Sequence, residues 1–193
     1  TLSRWFNGLN SNGGDGLYIS SSGPIVIQKT KANDNNRLGG SISNNSPSSS
    51  ASVTISDCEF NNNLNSIFSD EGWDLYGGLN VYSNGQISLN NVSANNNGYH
   101  DSSSTYDDKG IGAYLNNQTA TTAKPVSIIN SYFNNNYGTG LKILSKGAVT
   151  FTNGSINNNS LVAALMDNSD ASSNQPVSFT SVSIDGGKVN GNG

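Results

Sequence analysis

The chain has 193 residues, only 11% of them charged, with 22 glycines, one cysteine and a formal net charge of −4. Disorder couples low hydrophobicity to high net charge, so a charge this small beside regular short apolar runs points instead to a repeat protein. The lone Cys58 excludes an internal disulfide framework. Nine Lys and Arg without a basic run exclude the phosphate electrostatics of a nucleic-acid binder. No stretch approaches the ~18 apolar residues of a membrane span, and none has the n-region and h-region of a signal peptide. A chain that opens on Thr1 is expected to be a processed protein or an excised segment.

One phrase recurs along the chain: an alternating apolar strand, an apolar residue, then an Asn-rich triplet. A partial copy runs from Leu2 to Asn12, followed by full copies at Ile25 to Asn35, Val53 to Asn63, Ile87 to Asn97, Val126 to Asn136 and Val149 to Asn159, and a decayed one at Val177 to Gly187. The apolar residue before each triplet (Leu9, Ala32, Phe60, Ala94, Phe133, Ile156, Ile184) recurs at spacings of 23, 28, 34, 39, 23 and 28. Fixed phrases with variable gaps mean that insertions are confined to loops between stacked strands.

A second strand follows each triplet, with inward pairs expected at Leu17 and Ile19, Gly40 and Ile42, Leu79 and Val81, Ala113 and Leu115, and Leu141 and Ile143. In the sixth copy the pair is expected one residue early, at Ala163 and Leu165. Period-two alternation puts each pair on one strand face, and strands this short bury that face only if neighbouring rungs stack on it. The first strands would then build two apolar columns, one headed by Ile25 and Val53, the next by Ile27 and Ile55. A third column of small residues (Thr30, Cys58, Val92, Ser131, Gly154, Val182) places Cys58 inside as an inert thiol.

Asparagine accepts left-handed backbone angles in turns, and amides repeated at the ~4.8 Å strand spacing hydrogen-bond from rung to rung. Asn33, Asn61, Asn95, Asn134 and Asn157 are expected to form one such ladder. The predicted fold is therefore all-β, a parallel β-helix of about seven rungs with a minimal rung of 23 residues, one domain over 1–193, and no evident caps.

With these phrases the chain resembles the right-handed parallel β-helix repeat proteins, the pectate-lyase-like solenoids of large secreted and surface-displayed bacterial proteins. GGDGLYISSSG (Gly13 to Gly23), QISLNNVSANNNG (Gln86 to Gly98) and GTGLKILSKGAVTFTNGSINNN (Gly138 to Asn159) carry the likeness, which covers nearly the whole chain. It implies right-handedness, as does the general rule for parallel crossovers, and an extracellular or cell-surface location. It does not confer an activity.

Enzymes of that fold carry Asp, Arg or Lys clusters on an outward strand face, because proton abstraction and glycosidic cleavage need paired carboxylates or a base beside a charge stabiliser. Here the outward residues of the first strands are Val26 and Gln28, Thr54 and Ser56, Ser88 and Asn90, Ser127 and Ile129, Thr150 and Thr152, Ser178 and Thr180. None is a strong acid or base. Lys29 and Lys31 should stack over Asp57 and Glu59, most simply as surface ion pairs worth ~0–1 kcal/mol each. With His100 the only histidine, no catalytic triad or zinc set assembles, so no catalytic residue and no metal ligand is assigned.

The binding candidate is a pair of adjacent insertions, 64–77 and 98–110. They concentrate Asp70, Glu71, Asp74, Asp101, Asp107 and Asp108 beside Trp73, Tyr76, Tyr99 and Tyr106. Carbohydrate stacking, calcium held by carboxylates or docking on a neighbouring subunit would suit them, as would a mini-core in which Trp73 pins its own loop. No cofactor is expected, calcium at these acidic loops being the one alternative. The loops from Ser43 to Ala51, Asn116 to Lys124 and Asp167 to Gln175 read as solvated turns.

A solenoid with open ends offers complementary templates for head-to-tail stacking. The leading expectation is a non-enzymatic extracellular structural subunit that self-assembles into a filament or surface layer, with Leu2, Trp5 and Phe6 meeting Val182, Ile184 and Val189. The alternative is an adhesin or carbohydrate-binding segment of a larger cell-surface protein. A polysaccharide lyase or hydrolase comes third.

Overall fold

A computed structural model describes residues 7–46, 50–63, 77–98, 110–171 and 173–185. Among these the protein is all-β, without a helix, and its strands alternate between two parallel sheets. The first sheet holds β1 (Asn7–Gly8), β3 (Ile25–Gln28), β4 (Thr30–Lys31), β6 (Val53–Glu59), β8 (Ile87–Ser93), β10 (Val126–Tyr132), β12 (Val149–Asn157) and β14 (Val177–Asp185). The second holds β2 (Leu17–Ser20), β5 (Gly40–Asn44), β7 (Gly77–Ser83), β9 (Ile111–Asn116), β11 (Leu141–Leu144) and β13 (Ala164–Asp167).

The register puts like on like. Val53, Ile87, Val126 and Val149 align across β6, β8, β10 and β12, as do Ile55, Leu89, Ile128 and Phe151. All eight side chains are buried and belong to one hydrophobic core with Leu79, Val81, Leu115, Leu141 and Ile143 of the second sheet. Phe133 and Phe151 meet edge to face at 5.9 Å. A strand too short to hold a core of its own thus contributes two or three side chains to columns that run through the whole stack.

The second strand of the sixth repeat corrects the early register expected there. Leu141 pairs with Ala164 and Ile143 with Met166, so Ala164 and Met166 point inward while Leu165 lies on the outer face, 38% exposed. The chain keeps the regular offset because Ala163 fills a place that glycine holds in the earlier repeats.

Two residues of each repeat bend the chain through positive φ. Asp34, Asn62, Asn96, Asn135 and Asn158 have φ between 55° and 57° at the centre of the turn, and Lys29, Asp57, Asn91, Asn130 and Asn153 between 51° and 55° within the first-sheet strands. Asn and Asp take this region at little cost, which explains why these residues punctuate the repeat.

The two Asn flanking each turn centre make different ladders. In the expected one, the backbone N–H of Asn61, Asn95, Asn134 and Asn157 donates to the Oδ1 of Asn33, Asn61, Asn95 and Asn134 respectively, at 2.7–2.8 Å. The ladder in which side-chain amide meets side-chain amide lies two residues later. There Asn12, Asn35, Asn63, Asn97 and Asn136 each donate both N–H and Nδ2 to Oδ1 of the next, ending at Asn159. Asn35, Asn63, Asn97, Asn136 and Asn159 are buried to within 1%. The first ladder donates toward the N-terminal end of the stack and the second toward the C-terminal end.

The buried ladder needs room, and glycine supplies it. A Cβ on Gly78 would come within 2.6 Å of Asn97 Nδ2, and one on Gly112 within 2.5 Å of Asn136 Nδ2. Overpacking of a dense interior costs about 1–3 kcal/mol, and a buried donor left without an acceptor costs about as much. Gly112→Ala and Asn97→Ala should therefore each lower the stability read by urea denaturation by about 1–3 kcal/mol, whereas Asn96→Ala in the exposed turn centre should lose only the cost of its left-handed φ. Equal effects at all three positions would show that the buried ladder is not what holds the turn.

Candidate functional site

The aromatic and acidic residues expected to bind a ligand, Trp73, Tyr76, Tyr99, Tyr106, Asp70, Glu71, Asp74, Asp101, Asp107 and Asp108, lie outside the described residues. So do Leu2, Trp5, Phe6 and Val189 of the expected assembly contact. Its remaining members, Val182 and Ile184, lie on β14. Among the described residues no three of His, Cys, Asp and Glu gather where they would hold a metal ion.

On the outer face of the first sheet, Lys31 Nζ meets Glu59 Oε1 at 2.8 Å, and Glu59 Oε2 accepts Asn33 Nδ2 at 3.3 Å. Asp57 Oδ1 accepts Nδ2 of Asn91, its counterpart on the next rung with the same positive φ, at 2.7 Å, so its carboxylate is turned toward that donor and not toward Lys29. The pair is one-third exposed and belongs to the surface class worth little. The first two outward positions of each strand from β6 to β14, Thr54 to Thr180, carry only hydroxyls, Asn90 and the half-exposed Ile129.

Cys58 is 1% exposed and directs Sγ to the carbonyl of Ser56 at 3.1 Å. Burial pushes its thiol above the ordinary range, and the carboxylate of Asp57 adds to the rise. A raised thiol pKa keeps the thiolate scarce at neutral pH. Folded protein should leave Cys58 unmodified by a thiol-specific reagent at pH 7.5, with one thiol titrating after denaturation; rapid labelling of the folded chain would place Cys58 at an accessible surface.

The edge where each second-sheet strand returns to the first holds an order that the strand phrases do not announce. Ser21, Asn44, Ser83, Asn117, Ser145 and Asn168 occupy successive places in one column. Each Ser opens a short Ser-x-Gly turn in which the Gly N–H donates to the Ser Oγ at 3.0–3.1 Å. Each Asn opens a long loop and ties it shut across seven residues, Nδ2 donating at 2.8 Å to the carbonyls of Ala51, Lys124 and Gln175. The loops expected to be solvated turns are thus anchored, and short and long turns alternate rung by rung.

The central residue of a short turn plugs the long loop beneath it. Asn84 Nδ2 donates to the carbonyls of Asn45 and Ser46 at 3.0 and 2.9 Å, and Lys146 Nζ to that of Ala120 at 3.1 Å. The signal was in the sequence: Ser21, Ser83 and Ser145 stand 62 residues apart, a period of two rungs that a search for one-rung phrases passes over.

Sheet two carries an aromatic group on its outer face. Tyr82 and Tyr114 pack edge to face at 5.5 Å, Lys142 Nζ stands 5.7 Å from the Tyr114 ring, and Asn116 Nδ2 donates to the Tyr114 hydroxyl at 2.8 Å. Tyr114 is only 6% exposed and the neighbouring outward Asn80 5%, while Tyr18 at the N-terminal end of the same column is 70% exposed. Burial raises the Tyr114 phenol above its ordinary value.

At the C-terminal end the columns emerge. β14 pairs with β12 over Val177 to Asp185, yet Val177, Phe179 and Ile184 are 42%, 40% and 50% exposed where their counterparts Val149, Phe151 and Ile156 are at most 1% exposed. Val177 and Phe179 join Ile184 in this patch, although residue type at the turn alone pointed only to Val182 and Ile184. No family model, no curated protein and no solved structure matches the chain.

Proposed function

We propose that the chain is a right-handed parallel β-helix of about seven rungs that works outside the cytoplasm as a non-enzymatic structural element, extended end to end by further rungs across β14. The observation that carries this reading is the exposure of Val177, Phe179 and Ile184 in columns whose members from the second repeat to Ile156 are buried. Alternating parallel strands joined by crossovers favour the right hand. Among the described residues β14 is the last strand of its sheet; such an edge above exposed apolar side chains is a template for another strand, and repeated addition of copies that does not close gives a filament or surface layer.

Electron microscopy of the purified protein at neutral pH tests it. Wild type should form filaments or sheets, and Phe179→Glu, which places a charge at the exposed end of the column, should leave discrete particles with unchanged circular dichroism. Filaments that persist in Phe179→Glu, or a wild type that stays monomeric at high concentration, would refute assembly through this edge.

A second reading has its own observation. The outer face of β7 and β9 is covered, with Asn80 and Tyr114 nearly inaccessible beside the Tyr82 ring and Lys142, and the two long insertions are attached to these strands in sequence. We propose this region as the adhesive site of a cell-surface protein, with an uncharged or basic glycan, or calcium at the acidic loops, as candidate ligand. Trp73→Ala should abolish binding on a glycan array while leaving the thermal unfolding curve in place. Binding that survives the substitution, or release of reducing sugar from any polysaccharide in the same panel, would sink the reading, the latter in favour of an enzyme.

A further inference from the structure

The loop that Asn168 ties shut differs from its two predecessors in what lies above it. Loop 44–52 is plugged from the next rung by Asn84 and loop 117–125 by Lys146. Above loop 168–176 no described residue plays that part. There the wall formed by Asn168, Ser169, Ala171, Asn174, Gln175 and Pro176 encloses an open concavity of about 650 Å³. Asn44 and Asn117, each with a Ser-x-Gly rung on both sides, are buried to 1% and 0%; Asn168, with Ser145 on one side only, is half-exposed. Among the described residues the adjoining strand β13 pairs with β11 alone, and it turns Leu165 outward.

We infer that the edge of β13 and the concavity of loop 168–176 together form a docking site for a parallel strand that ends in Ser-x-Gly, with a side-chain hydrogen-bond donor at x. The partner is a further β-helical segment of this repeat type. Its strand adds to β13 through main-chain hydrogen bonds, as in β-augmentation. Its Ser stacks on Asn168 to continue the Ser/Asn column, and the donor at x drops into the concavity to meet the loop carbonyls, as Asn84 and Lys146 do below. A strand of the other type, ending in Asn and a long loop, would set one long loop directly on another at the ~4.8 Å rung spacing and leave the concavity unfilled. The inference rests on the reading that the stack is extended at this end, and it adds which kind of rung comes next.

The test is a titration of the isotope-labelled 193-residue protein with the peptide GTGLKILSKG, identical to Gly138 to Gly147, followed by amide chemical shifts. Saturable shifts confined to β13 and loop 168–176 are expected. Alanine in place of the second lysine should weaken binding about tenfold, the loss of one charge-assisted hydrogen bond, and the peptide IGAYLNNQTA, identical to Ile111 to Ala120, should produce no shift there. An Ala171→Trp chain, its concavity filled, should no longer bind. Absence of saturable shifts at β13, equal binding of the two peptide types, or full binding by Ala171→Trp overturns the inference. A chain that stays monomeric in the microscope yet binds the peptide would refute self-assembly alone; filaments without peptide binding would refute the inference alone.

Discussion

Each buried asparagine from Asn35 to Asn136 must accept two hydrogen bonds on one oxygen, from the backbone N–H and the Nδ2 of the asparagine below, and pass the same pair upward. Asn63, for example, takes both donors of Asn35 at 3.0 and 2.9 Å and gives its own to Asn97 at 2.9 and 3.2 Å. Buried amides are costly unless they are paired, so this requirement fixes much else. It forces the rungs into register, since a slip of one residue would orphan every amide at once. It forces glycine at Gly39, Gly78, Gly112 and Gly140, whose neighbours in the ladder leave no space for a Cβ. It also puts the positive φ at the middle of each triplet, where the chain reverses between two residues that both face neighbours.

Register, once fixed, builds the core without further instruction. The apolar residues of the first sheet fall on one another because each lies a set number of residues before its buried asparagine, and Phe133, Phe151 and Phe179 stack in the order the phrases dictate. Insertions of any length are tolerated at the loop edges because they leave this spacing intact. The alternation of Ser-x-Gly turns with Asn-tied loops gives one edge a two-rung period that the core does not share.

The parallel all-β architecture was legible from strand phrases and spacing, because period-two alternation and a fixed offset leave few other arrangements. The identity of the amide-to-amide ladder was not, since the first and third Asn of a triplet are the same residue type and only burial separates Asn95 from Asn97. The shift to Ala164 and Met166 was missed for a related reason: Ala163 looks like a strand residue and in fact occupies the glycine place beside the ladder. Of the candidate surfaces, Ile184 was readable as an apolar residue before a turn, but its exposure depends on which strands flank β14, which no single phrase encodes. The Lys29 and Asp57 pair fails because Asp57 takes the amide of Asn91 on its other side, and residue type alone does not say which of two flanking donors a carboxylate meets.

The dependence of the whole stack on the buried ladder can be read most directly by native-state hydrogen exchange. The side-chain amide protons of Asn35, Asn63, Asn97 and Asn136 should exchange as slowly as the backbone amides of β8 and β10, through global opening alone. Exchange of those side chains at the rate of the exposed turn centres Asn62, Asn96 and Asn135 would show that the ladder opens independently of the core, and that the register is held by the apolar columns instead.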